Sequence, residues 1–215
     1  ADMVFTDPPY NIGFSYNQHK DEMDFKDYLL FCRRFYELLD CERIIITPGP
    51  KNLSIWYQII PIKDIGWAKE EIGIGGIFYD EGLWYKKNTR SGASCFNLRT
   101  CEPIIFYGKF NKKRNLDIFS YTRRISRELT DSQKGLRADS VAPGKPVKLI
   151  ADMIISFSEE KEIIKDVFMG NGTTLMACEQ TNRICYGMEI DPKYCDVIRK
   201  RYAKFIGKEN EWQTL

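Results

Sequence analysis

The chain has 215 residues, 43% hydrophobic and 29% charged, with 32 Lys or Arg against 30 Asp or Glu for a formal net charge of +2. That length and balance suit one compact domain with a buried core. No apolar run reaches the ~18–20 residues of a membrane span, and no signal peptide is visible.

The first residue is Ala1, and an apolar strand, Met3–Phe5, begins almost at once. Such a start is expected of a chain with a further native piece upstream. The strand runs into "TDPPYNIGF", Thr6 to Phe14. Two prolines cannot donate to a sheet ladder, so they end the strand and leave Asp7 and Tyr10 at its carboxyl end. In open α/β sheets that rim is where ligands sit. A helix is predicted from Asp24, with Phe25, Tyr28, Leu29, Cys32, Phe35, Tyr36 and Leu39 on its apolar face. Further strands are predicted at Ile44–Thr47, Leu83–Tyr85, Ile104–Tyr107, Ile163–Phe168 and Ile184–Glu189.

A second helix follows Gly144-Lys145-Pro146, with Pro146 in its first turn and Val147, Ile150, Ile154 and Phe157 on one side. A third starts near Thr173. The last has Asp191 as N-cap and Pro192 at its first position, turns Cys195, Ile198, Tyr202 and Phe205 inward, and stops at Gly207. Strand–helix alternation predicts an α/β fold, with a mostly parallel sheet covered by helices on both faces. The stretches 86–100 and 109–145 read as irregular.

Charge is unevenly placed. Residues 109–140 hold nine Lys or Arg against four Asp or Glu, with Phe110, Phe119 and Tyr121 among them. A basic block on a near-neutral body suits a phosphate backbone, although a solvated loop with ordinary surface lysines would look the same. The seven cysteines, at 32, 41, 95, 101, 178, 185 and 195, form no CxxC pair, and His19 is the lone histidine. No metal site is expected; reduced, mostly buried thiols of a cytoplasmic protein are.

The strand predicted at Ile163–Phe168 enters Gly170-Asn171-Gly172-Thr173-Thr174 and then a helix. Two glycines allow a tight turn and close ligand approach, and the helix start offers unpaired N–H groups. About twenty residues on, the next strand ends in Glu189, placed to accept from ribose hydroxyls as in dinucleotide-binding folds. This half reads as a nucleoside site. A Walker loop is excluded because no Lys precedes the Thr pair, and Leu175 stands where the dinucleotide fingerprint wants a third glycine.

Together the motifs resemble the S-adenosylmethionine-dependent DNA amino-methyltransferases, in the permuted (beta) group whose catalytic motif precedes the cofactor motif. "DPPY" matches that family's catalytic signature. "DVFMGNGTTLMA" is similar to its "DPFxGSGTT" motif, with Val167 for proline and Asn171 for serine. "GMEIDPKYCDVIRKRY" resembles its acid-bearing strand and following helix. "SVAPGKPVKLI" is similar to "HPTxKPxxL", with Val141 for the histidine, Ala142–Pro143 for proline–threonine, Gly144 at the variable position, and Lys145 and Pro146 kept. Members usually carry another acidic strand just upstream of the DPPY strand, which this sequence starts too late to contain.

The resemblance implies a Rossmann-like three-layer fold and methyl transfer to the N6 amine of adenine in DNA after base flipping. Asp7 and the Pro8 carbonyl would accept from the amine, Pro9 would stiffen the loop, and Tyr10 would stack on the flipped base. Cofactor contacts are implied for Asp7, Lys145, Asp166, Phe168, Gly170, Gly172, Thr173, Thr174, Glu189 and Ile190. The organisation expected is a catalytic half, 1–108, a short basic target-recognition segment, 109–144, and a cofactor half, 145–215, within one domain. Lys112, Lys113, Arg114, Arg123, Arg124 and Arg127 would contact DNA phosphates. A segment this short implies few base contacts, or recognition shared with a partner subunit, a homodimer included. Cytosine N4, RNA adenine and a catalytically inactive DNA-binding subunit are the alternatives.

Overall fold

In a computed structural model, the described residues are 1–15, 20–60, 78–86, 101–108, 118–121 and 144–214. Strand β1 (Met3–Thr6) precedes a small antiparallel hairpin, β2 (Phe14–Ser15) and β3 (Lys20–Asp21). Helix α1 (Phe25–Glu37), β4 (Arg43–Ile46) and helix α2 (Leu53–Ile59) follow. Next come β5 (Phe78–Lys86), β6 (Cys101–Gly108) and β7 (Ile118–Tyr121). The remaining elements are α3 (Val147–Phe157), β8 (Ile163–Asp166), α4 (Thr173–Gln180), β9 (Ile184–Gly187) and α5 (Pro192–Phe205), then a 3-10 turn, Glu209–Glu211.

Seven strands form one sheet in the order β7-β5-β6-β4-β1-β8-β9. Pairing is parallel for β1 with β4 and β8, for β8 with β9 and for β5 with β7, and antiparallel where β6 meets β4 and β5. The expected halves therefore share a sheet: Val4 pairs with Ile44 on one side and Lys165 on the other.

Strand period places alternate residues on opposite faces. Met3, Phe5, Ile45, Ile104 and Phe106 pack with Leu149, Ile150, Met153 and Ile154 of α3 and with Ala177 and Cys178 of α4. Val4, Ile44, Ile46 and Ile105 pack on the other face with Tyr28, Cys32 and Phe35 of α1 and Ile55 and Trp56 of α2. Both faces are covered, as parallel strands require. At the sheet's edge, Ile184 and Tyr186 of β9 and Met188 beyond it are exposed.

Several predictions from pattern need adjustment. Phe25 and Phe205 are exposed, because each lies in a terminal helical turn and period alone does not show where a helix leaves its core. Pro146 is the N-cap of α3, not a first-turn residue. The strands predicted to reach Phe168 and Glu189 stop at Asp166 and Gly187, where the chain turns into loops. Strand β7 lies within the stretch predicted irregular, where neighbouring charges mask its four residues, and α2 is too short for its period to register.

From β1 the chain crosses by α1 to β4, and from β8 by α4 to β9, moving in opposite directions across the sheet. The order thus reverses between β1 and β8. A crevice at the carboxyl ends of such neighbours is the usual ligand position in open α/β sheets.

Candidate active site

Asp7 stands one residue beyond β1, at that rim. Its Oδ1 accepts hydrogen bonds from Tyr10 Oη at 2.6 Å and Thr47 Oγ1 at 2.7 Å. Its Oδ2 lies 2.5 Å from Lys145 Nζ. A carboxylate offers about four acceptor sites, so three donors leave one on Oδ2. The Asp7 side chain is 37% exposed, which leaves that site within reach of a ligand.

Other groups fix the loop around it. Tyr28 Oη donates to the Pro9 carbonyl at 2.7 Å, and Asn52 Nδ2 donates to the Tyr10 carbonyl at 2.8 Å. Asn11 exchanges two hydrogen bonds with the Met23 backbone, and buried Asp21 accepts from the Asn11 and Ile12 N–H groups. Among the described residues, no donor reaches the Pro8 carbonyl. Pro8 O and Asp7 Oδ2 therefore keep unused acceptor capacity, although Pro8 as a whole is buried.

Tyr10 lies flat against Gly49: a Cβ there would approach its ring to 2.8 Å. Its hydroxyl accepts from Lys145 Nζ at 2.9 Å while donating to Asp7. Burial, followed by the charges of Asp7 and Glu102, pushes the Tyr10 hydroxyl well above its ordinary value, so it stays protonated and a donor.

Lys145 precedes α3 and is buried. Burial alone would push its ammonium down, but the Asp7 and Glu102 carboxylates outweigh it and hold the group above its usual value. Glu102, on β6, approaches Nζ at 3.6 Å. Lys145 was expected among the cofactor contacts; its ammonium meets Asp7, Tyr10 and Glu102.

The glycine turn lies at the end of neighbouring β8. Gly170 and Gly172 have φ of +52° and +78°, the left-handed region that glycine adopts without penalty. Asp166 is buried and accepts from Thr174 Oγ1 at 2.5 Å, Phe168 N–H at 3.0 Å and Thr6 Oγ1 at 3.3 Å. Burial pushes its carboxyl up to about 6 despite these donors. Asp166 and Thr174 thus bind each other beneath the turn. Phe168 packs on Phe35, with ring centres 5.0 Å apart, and is half-buried.

Glu189 accepts from Gly170 N–H at 2.8 Å and Asp191 N–H at 3.0 Å, which joins the turn to the end of β9. Two of its four acceptor sites remain. A Cβ on Gly170 would meet nothing nearer than the Phe168 carbonyl at 4.0 Å, so the backbone there is open to a ligand. These features fit a nucleoside-bearing cofactor. Ile190 is 83% exposed beside Glu189.

The Asn171 departure is accommodated by Gly144, at the variable position of the other motif. A Cβ at Gly144 would come within 2.7 Å of Asn171 Oδ1, and that oxygen accepts from Thr173 Oγ1 at 2.7 Å and from Arg201 Nη1 at 2.8 Å. The larger side chain at 171 occupies space that the missing side chain at 144 leaves open.

Sequence reasoning missed Thr47, Gly49, Asn52 and Glu102. Thr47-Pro48-Gly49 ends β4 much as Asp7-Pro8-Pro9 ends β1, and an acid within the apolar "CEPIIFYG" was a visible anomaly. The expected phosphate contacts Lys112, Lys113, Arg114, Arg123, Arg124 and Arg127 lie outside the described residues, as does His19.

A mostly parallel sheet with a carboxylate loop beside a glycine turn defines a crevice of the nucleotide-binding type. Residues 1–200 match the DNA methylase family of N6 and N4 type, and the chain belongs to that family. It is 26% identical over 225 residues to the type II methyltransferase M.HpaI of Haemophilus parainfluenzae, covering 93% of this chain and 67% of that one. It is 25% identical over 251 residues to M.HinfI of Haemophilus influenzae, covering 100% and 66% respectively. The chain thus spans about two thirds of these relatives' length. Among solved structures, PvuII DNA methyltransferase (cytosine-N4-specific) superposes with a TM-score of 0.67 at 14% identity, over 99% of this chain and 86% of that one. M1.HpyAVI gives 0.59 at 20% identity, over 94% and 87%. The fold is the Rossmann-like one of these methyltransferases.

Proposed function

We propose that the chain is an enzyme that methylates the exocyclic N6 amine of adenine in DNA, with S-adenosylmethionine as methyl donor. Asp7 carries the proposal: a rim carboxylate held by three donors with one acceptor site left, beside the Pro8 carbonyl. The adenine amine is a weak nucleophile because its lone pair is delocalised into the ring. Asp7 Oδ2 and Pro8 O accept its two N–H groups and favour the tetrahedral geometry in which that lone pair is free. Proline rings and the Tyr28 and Asn52 hydrogen bonds preorganise both acceptors, so little reorganisation accompanies the reaction.

When bound, the donor would supply a sulfonium methyl to the amine nitrogen, its sulfur leaving with the S–C electron pair, and Asp7 would pass the surplus amine proton to water. Glu189 holds the ribose through its two free acceptor sites, Gly170 and Gly172 let the backbone approach, and Phe168 walls the methionine chain. Tyr10 stacks on the flipped base. Lys112, Lys113, Arg114, Arg123, Arg124 and Arg127 hold DNA phosphates. A cytoplasmic setting fits the five free cysteines among the described residues.

The test is transfer from labelled S-adenosylmethionine to unmethylated bacterial DNA, followed by nucleoside analysis. N6-methyladenine is expected, and N4-methylcytosine would move the assignment to the other amine. Asp7→Ala should bind the donor nearly as well while losing at least ~10²–10³-fold in single-turnover rate. A folded Asp7→Ala with the parent rate would refute the role of Asp7.

A further inference from the structure

We propose that Lys145, which also pairs with Glu102, is the positioning residue that holds the Asp7 carboxylate with one acceptor site turned to the amine. The inference rests on the methyl-transfer function above and assigns a task to two residues that it leaves without one.

Four distances carry it. Lys145 Nζ lies 2.5 Å from Asp7 Oδ2, 2.9 Å from Tyr10 Oη and 3.6 Å from Glu102 Oε2, while Tyr10 Oη lies 2.6 Å from Asp7 Oδ1. The ammonium has three protons, and it has three oxygens around it. Lys145 and Tyr10 clasp Asp7 from both of its oxygens, and Thr47 adds a second donor to Oδ1. The carboxylate has little freedom to rotate, and its remaining acceptor site keeps one direction.

Charge points the same way. Among the described residues, the acids facing the cluster are Asp7 beyond β1, Glu102 on β6 and Asp166 at the end of β8, with Tyr10 as a neutral hydroxyl. Lys145 contacts two of them. A buried cation whose partners are removed, or a buried acid whose cation is removed, is left uncompensated in a poorly solvated place. Without Lys145, Asp7 would lose its Oδ2 donor, and its carboxylate could turn its acceptor sites away from the amine.

Glu102 also contributes to the lysine's placement. Its side chain is 14% exposed, and its Oε2 lies 3.6 Å from Nζ. The ammonium is thus hydrogen-bonded to Tyr10 and ion-paired with both Asp7 and Glu102.

The experiment uses the full chain and its Lys145→Met, Lys145→Arg and Glu102→Gln variants. S-Adenosylmethionine affinity is measured by calorimetry, and single-turnover methylation of unmethylated bacterial DNA is followed at saturating donor. Lys145→Met should keep donor affinity within about twofold and lose ~10²–10³-fold in rate, the scale for removing one preorganised electrostatic partner. Lys145→Arg should recover part of the rate, and Glu102→Gln should show a smaller loss with the same signature. If Lys145→Met fails to fold, the donor affinity and rate of Glu102→Gln decide. Parent-like rates in the folded variants would overturn the proposal. So would weakened donor binding with an unchanged rate at saturation, which would return Lys145 to the cofactor. An unmutated chain that methylates nothing would instead sink the function itself.

Discussion

Replacing Gly49 by alanine should slow methyl transfer far more than it destabilises the fold. The new Cβ would sit 2.8 Å from Tyr10 Cγ and 3.0 Å from each Cδ. Carbon atoms are comfortable at ~3.5–4.0 Å, so the ring must retreat by roughly 0.7–1 Å. Its hydroxyl is held at 2.6 Å by Asp7 and 2.9 Å by Lys145, and neither contact survives such a shift unchanged. A misplacement of ~1 Å in a reacting geometry can cost ~10²-fold in rate. Gly49 also has φ of +72°, where an L side chain costs ~1–2 kcal/mol. For a chain of this size that lowers Tm by about 2–8 °C. Single-turnover methylation and thermal melts of Gly49→Ala, Tyr10→Ala and the double variant separate the two effects. Once the ring is gone, alanine at 49 should add only its backbone penalty, so the two rate losses should not multiply. Rate losses that multiply fully would show that Gly49 does not act through Tyr10.

Two further predictions concern the glycine turn. Asp166 holds its proton up to about 6 in the fold, against an ordinary value of 3.8. Its raised value gives stability that is complete below about 4 and is lost as pH rises through about 6, by about 3 kcal/mol. Melts across pH 4–7 should therefore show Asp166→Asn gaining Tm relative to the parent as pH rises; parallel curves would refute the burial account. Gly144→Ala should destabilise by the ~1–3 kcal/mol of overpacking, and Asn171→Ser should relieve most of it. Additive losses in the double variant, read by denaturant unfolding, would show that the two positions do not share that space.

Much of this was legible in the chain, for identifiable reasons. Apolar runs such as "IIIT" and "PIIFY" announce buried strands, and Asp24 announces α1 because its carboxylate accepts from Lys26 and Asp27 N–H. Asp7 was legible because an acid followed by two prolines has few structural reasons to end a strand. The partner of Lys145 was not. It lies 135 residues from Tyr10, and nothing local in "PGKPV" says which carboxylate its ammonium will meet. Asn171 likewise reads as a departure unrelated to the variable position at Gly144 until the fold brings the two together.

The place of β1 inside the sheet, between β4 and β8, has a consequence for how the protein is made. Thr6 donates to Asp166, 160 residues later, and Met3 and Val4 find their second neighbouring strand only in Ile164 and Lys165. At ~5–20 residues per second, a ribosome needs roughly 8–30 s to bring that neighbour out. Through that interval β1 can pair with β4 on one side, while its other edge offers bare N–H and C=O groups to any passing strand. The crevice that holds Asp7 beside the glycine turn therefore forms late, when the strand carrying Asp166 docks against one synthesised long before.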